Sequence, residues 1–77
     1  GENTQEMLEC DLKIEHKAHI DLKAAIAYCE SVGDYASRDL LEDILESEEE
    51  HIDWLETQLS LIKAVGLQNY LQSQMEE

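Results

Sequence analysis

The chain has 77 residues, with 19 acidic and five basic side chains, a formal net charge of −14 and no proline. A chain this short buries only about 60% of its unfolded surface when it folds alone. The charge argues against nucleic acid and anionic membranes as partners and favours cations. No apolar run is long enough for a membrane span, and none is typical of a signal peptide. The residue types predict an all-α fold, and the missing initial Met suggests a piece of a longer protein.

The first helix is predicted over about residues 4–32. Asn3 followed three residues later by Glu6 forms a capping-box-like start. Beyond it, mainly apolar residues recur in steps of four and three, which places them on one face of the helix. We call such a face, which is typical of a helix packed on another helix, a seam. The seam positions are Leu8, Leu12, Glu15, His19, Leu22, Ile26 and Cys29. Cys10 and Cys29 fall on different helix faces, which predicts free thiols in a reducing cytosol.

A short turn separates this helix from a second one, predicted over about residues 35–65. Gly33 suits a left-handed C-cap and Asp34 an N-cap, and the short connection predicts an antiparallel hairpin. The second seam consists of Leu41, Ile44, Glu48, His51, Leu55, Gln58, Ile62 and Val65. After Gly66, a short helix is predicted over about 67–75. Such a helix is unstable unless it docks, and its apolar side carries Leu67, Tyr70, Leu71 and Met75.

Three polar residues occupy seam positions where Leu or Ile is expected. Glu48 and His51 stand three apart and so share a helix face, while Glu15 and His51 each lie about 25 Å from the turn. Buried carboxylates repel each other, and a divalent cation removes that repulsion. Carboxylates with an imidazole suit iron or manganese, with zinc as an alternative and soft copper less suited. We therefore predict Glu15, Glu48 and His51 as metal ligands and as the residues of any catalytic site. Two such hairpins supply the four carboxylates and two histidines of a di-iron four-helix bundle.

Four stretches carry a specific family resemblance: GENTQEML (1–8), DYASRDLL (34–41), EEEHIDWLET (48–57) and GLQNYLQ (66–72). Together they resemble the C-terminal half of a bacterioferritin, with its third, fourth and short fifth helices. The resemblance implies that residues 1–77 form half of a ferritin-like bundle, which a second hairpin completes. It also implies a terminal carboxylate ligand at Glu15, a carboxylate bridging two irons at Glu48, and a terminal imidazole ligand at His51.

The function implied by this resemblance is ferroxidase oxidation of Fe²⁺ by O₂ or peroxide, together with cytoplasmic iron storage. The partners implied are a second copy of the chain or the missing N-terminal half, within a homo-oligomer of up to 24 subunits. Ferroxidase activity is implied only for the completed bundle. Haem b is not supported, because Met7 and Met75 do not match the position of the family's haem-ligating methionine.

Other interpretations of the same residues remain open. Glu15 can pair with His19 one turn later without any metal. His19 can be a core histidine held by hydrogen bonds or an accessory to the metal site, and Trp54 can be a packing residue or an electron carrier. The alternative function is a non-catalytic helical dimerisation module with structural or adventitious metal.

Overall fold

A computed structural model describes residues 3–75 as three α-helices with no strand in that range. The helices are α1 (Thr4–Ser31), α2 (Tyr35–Val65) and α3 (Leu67–Met75). The all-helical prediction is confirmed, and the helices begin and end close to the expected residues. The predicted half-bundle extends to residues 1–2 and 76–77, which lie outside the described residues. None of the described helices combines the length and the apolar character needed to cross a membrane.

Side-chain caps and one glycine define how the hairpin begins and turns. Asn3 accepts a hydrogen bond from the Glu6 backbone N–H at 2.8 Å, which caps α1. Gly33 adopts a positive φ of 76°, a conformation that favours glycine, and lets the chain reverse. Asp34 then caps α2 by accepting from the Ser37 backbone N–H at 3.1 Å. Hydrogen bonding with Ser37 lowers the pKa of Asp34.

Arg38 joins the two helices next to this turn. Its guanidinium forms ion pairs with Glu30 of α1 at 3.7 Å, with Asp39 at 3.1 Å and with Glu42 at 3.2 Å. It also lies over the Tyr35 ring, 5.0 Å from the ring centroid. The hydrogen bond to Asp39 is the main cause of the raised pKa of Arg38. The three carboxylates are exposed, so we assign these ion pairs a role in helix alignment more than in stability.

The apolar core lies at the opposite end of the hairpin, where α3 docks. Its buried members are Leu8, Leu55, Ile62 and Tyr70, with Leu12, Leu59 and Leu67 packed against them. The Tyr70 hydroxyl donates a hydrogen bond to Gln58 Oε1 at 2.8 Å. Docking removes the instability expected of an isolated nine-residue helix. Two of the four residues predicted to share the inward side of α3, Leu71 and Met75, are exposed.

The face that α2 turns toward α1 is rotated from the predicted seam. Three predicted seam residues are exposed: Ile44, His51 and Val65. Three residues that flank the seam are buried or half-buried instead: Leu45, Ile52 and Leu59. The apolar stripe of α2 is thus wider than the face that α1 alone covers. The seam positions of Glu48 and His51 predict that both side chains point into the core, and for His51 in the hairpin this prediction is wrong.

Candidate metal centre

Glu15 and Glu48 interrupt the apolar contact between α1 and α2 midway along the hairpin. Both side chains are half-buried, in contrast to most carboxylates of the chain. Glu15 lies on α1 between Leu12 and His19, which are half-buried on the same face. Glu48 occupies the corresponding face of α2. The structure therefore places both predicted carboxylate ligands on the meeting faces of the two helices.

One oxygen of Glu48 lacks any compensating contact. Glu48 Oε1 is shielded from solvent and has no hydrogen-bond partner among the described residues. Leaving a buried acceptor unsatisfied costs about 1–3 kcal/mol, and more when the group is charged. A bound cation would compensate this oxygen directly. The donor set of carboxylate oxygens and one imidazole fits iron or manganese.

His51 lies outside the face of α2 that is buried against α1. Its imidazole is exposed and stacks on Trp54, with ring centroids 6.1 Å apart and an angle of 7° between the planes. Trp54 itself is 51% exposed, so within the hairpin it packs on His51 and not in the core. Any metal bound by both Glu48 and His51 must therefore sit at the open side of the hairpin.

The hairpin by itself does not assemble a complete set of ligands. Within residues 3–75, no three His, Cys, Asp or Glu side chains come together as a group that could hold a metal ion. Cys10 and Cys29 are both free thiols, and neither joins such a group. The ligand roles of Glu15, Glu48 and His51 accordingly stay predictions.

A hydrogen bond that the sequence did not predict crosses the hairpin beside these carboxylates. His19 Nε2 lies 2.9 Å from Glu49 Oε2, so this nitrogen pairs with Glu49 of α2 and not with Glu15. An ionised carboxylate can only accept, so Nε2–H is the donor. The Glu49 side chain is mostly exposed. The bond was missed because Glu49 lies one residue off the seam, where helical periodicity carries no information about partners.

Comparison with known proteins agrees with this architecture. The sequence of residues 1–65 matches the model of the ferritin-like domain. The chain is 55% identical to a bacterial ferritin of Synechocystis over 97% of its length, and 49% identical to a bacterial ferritin of Pseudomonas aeruginosa over the same share. It is 44% identical to a bacterioferritin of Brucella melitensis over 91% of its length.

These alignments also show how much of each relative the chain represents. It covers 49% of the first two relatives and 44% of the third. The chain thus spans about half the length of the curated relatives it matches. With a family match over most of its residues and an all-helical fold, this chain belongs to the ferritin-like family.

Proposed function

We propose that this chain contributes half of a ferroxidase centre to a ferritin-like four-helix bundle that oxidises and stores iron. The observation that carries the proposal is the orphaned, solvent-shielded oxygen of Glu48, a half-buried residue on the face of α2 that meets α1. Family membership and the bacterial ferritins among the relatives support the choice of iron. We assign Glu48 as the carboxylate shared by two iron ions, with Glu15 and His51 as terminal ligands.

Completion of the site requires a second hairpin, either a second copy of this chain or an N-terminal half. The exposed side of α2 carries His51 together with apolar residues such as Ile44 and Val65, which a second hairpin would cover. In a completed bundle, four carboxylates and two histidines would surround the metal pair. We further propose assembly into a homo-oligomeric shell in the cytoplasm.

In the proposed reaction, Fe²⁺ is the substrate and O₂ or peroxide is the oxidant. Two Fe²⁺ ions lose one electron each. O₂ accepts these two electrons and two protons to give hydrogen peroxide, or hydrogen peroxide accepts them to give two water molecules. The carboxylates of Glu15 and Glu48 favour the higher charge of Fe³⁺ because they are anionic oxygen ligands in a partly desolvated site.

The experiment that tests this proposal combines native mass, bound iron and oxidation rate. The native mass of the chain is measured with and without Fe²⁺ under anaerobic conditions, with iron counted per chain. We expect a dimer or a multiple of dimers with about one iron per chain. Aerobic addition of Fe²⁺ should then give oxidation above the buffer rate. Glu48→Ala should lose this activity while its helical circular dichroism persists, and equal rates in the variant would refute the assignment.

A second candidate is a helical assembly module without catalysis. The observation in its favour is that no metal-holding group of three side chains forms within residues 3–75. Here the apolar residues on the open side of α2 would serve dimerisation alone. This candidate predicts a dimer that forms equally well without Fe²⁺ and leaves Fe²⁺ oxidation at the buffer rate.

A further inference from the structure

His19 and Glu49 form a polar contact between α1 and α2 at the level of the candidate centre. Their side chains are 22% and 57% exposed, and the Nε2–Oε2 distance is 2.9 Å. A second polar contact between the two helices is the longer Arg38–Glu30 pair near the turn. The apolar core lies at the far end of the hairpin. The His19–Glu49 bond thus joins the helices where two half-buried carboxylates weaken apolar packing.

Each member of this pair lies close to one predicted ligand. His19 follows Glu15 by one helical turn on α1, and Glu49 follows Glu48 directly on α2. A shift of α1 along α2 that moved Glu15 relative to Glu48 would stretch the bond. The bond therefore restrains the distance between the two carboxylates.

The bond also restrains rotation of α2 about its axis. Successive residues of an α-helix are separated by about 100°, so Glu49 lies about 100° to one side of Glu48 and His51 about 60° to the other. While Glu49 stays bonded to α1, Glu48 faces the hairpin interior and His51 faces the open side, as observed. Rotation that broke the bond would move both predicted ligands of α2 together.

We propose that His19 and Glu49 are positioning residues that hold Glu15, Glu48 and His51 in register for metal binding. This inference rests on the proposed metal role of those three residues. Residues that orient metal ligands typically change metal affinity by about 10–100-fold when they are removed. Because the two side chains act through one bond, their effects should not add.

The test uses Co²⁺ as the probe, because its visible absorption reports both affinity and coordination geometry. Glu49→Ala and His19→Ala should each weaken Co²⁺ binding about tenfold and alter the spectrum of the saturated site. The double variant should be no weaker than either single variant. Glu50→Ala is the matched control, since it removes the same charge from the adjacent exposed position. His19→Gln keeps an N–H donor at a similar reach and should retain the wild-type affinity.

Three other outcomes would contradict the inference, and each has a different meaning for the proposed metal site. Equal Co²⁺ affinity in Glu49→Ala and Glu50→Ala would show that the pair positions nothing, while the proposed metal site would stand. If Co²⁺ binding to Glu49→Ala and His19→Ala weakens only in proportion to their loss of helicity, and the spectrum at saturation is unchanged, the pair contributes to folding and not to the positioning of ligands. If the wild-type chain binds no Co²⁺ at all, the proposed metal site fails, and the inference fails with it.

Discussion

Replacing Glu48 with Gln separates the stability of the hairpin from metal binding. The amide has nearly the same shape as the carboxylate but no charge, so it lowers the cost of the shielded and unpartnered Oε1. It also removes one of the two negative charges that Glu15 and Glu48 place on the meeting faces of α1 and α2. We therefore expect the metal-free variant to be more stable than the wild-type chain and to lose the response to metal.

The magnitude follows from the cost of one unsatisfied group. An unpaired buried acceptor costs about 1–3 kcal/mol. Because Glu48 is only half-buried and the amide also needs partners, we take the low end, about 1 kcal/mol. In a chain of this size that gain corresponds to a rise in Tm of about 4–8 °C. For the wild-type chain, Co²⁺ at a hundred times its Kd should add about 2.7 kcal/mol, which the variant should lack.

The assay is thermal and urea unfolding followed by circular dichroism, with and without Co²⁺. Glu50→Gln is the control, because it removes the same charge from an exposed neighbour. The control should unfold like the wild-type chain and keep the Co²⁺ response. Two results would refute the reasoning. If Glu48→Gln is less stable than the wild-type chain without metal, the unpartnered carboxylate does not destabilise the hairpin. If Co²⁺ still stabilises Glu48→Gln, Glu48 is not a metal ligand.

Three further predictions test the fold. Leu55 is 1% exposed, so Leu55→Ala should lower the free energy of unfolding by about 3 kcal/mol, as measured by urea unfolding. The control is Leu40→Ala on the exposed surface, which should change the free energy of unfolding by less than about 0.5 kcal/mol. Tyr70→Phe removes the bond to Gln58 and should cost about 1 kcal/mol, with faster amide exchange confined to α3; unchanged exchange there would contradict the docking role of the hydroxyl. The pKa of Asp34 is lowered in the folded chain, so its stabilisation is complete above the ordinary value of 3.8 and is lost as pH falls through the folded value. Asp34→Asn keeps an N-cap that does not titrate, and acid unfolding should shift less in that variant than in the wild-type chain.

The sequence predicted the helices well because their boundaries depend on local chemistry. Asn3 and Asp34 cap their helices through their own side chains, and Gly33 adopts the positive φ that it favours. Such features need no knowledge of tertiary packing. The docking of α3 was also foreseeable, since a short amphipathic helix forms only against a partner surface.

The relative rotation of the helices was not predictable from the same pattern. The apolar stripe of α2 is wide enough to serve two partners, and periodicity does not say which edge meets α1. In the structure the edge that carries Leu45 and Ile52 packs against α1, and His51 is exposed. The His19–Glu49 bond depends on this rotation, so it became visible only in three dimensions.

If His51 is a metal ligand as proposed, its exposed position in the hairpin predicts that metal binding and assembly are coupled. Two copies of a chain with a net charge of −14 repel each other, and bringing Glu15 and Glu48 of both copies into one core adds further repulsion. Cations held between the hairpins would offset that repulsion and use ligands that no single hairpin gathers among its described residues. A ligand that binds only the assembled state shifts the equilibrium toward assembly. Under the proposed function we therefore predict that Fe²⁺ also promotes dimerisation. The concentration of chain needed for dimerisation should fall when Fe²⁺ is added without oxygen. Analytical ultracentrifugation of the wild-type chain and of Glu48→Gln measures this directly. A fall of the same size in both would show that Glu48 does not link the metal to assembly.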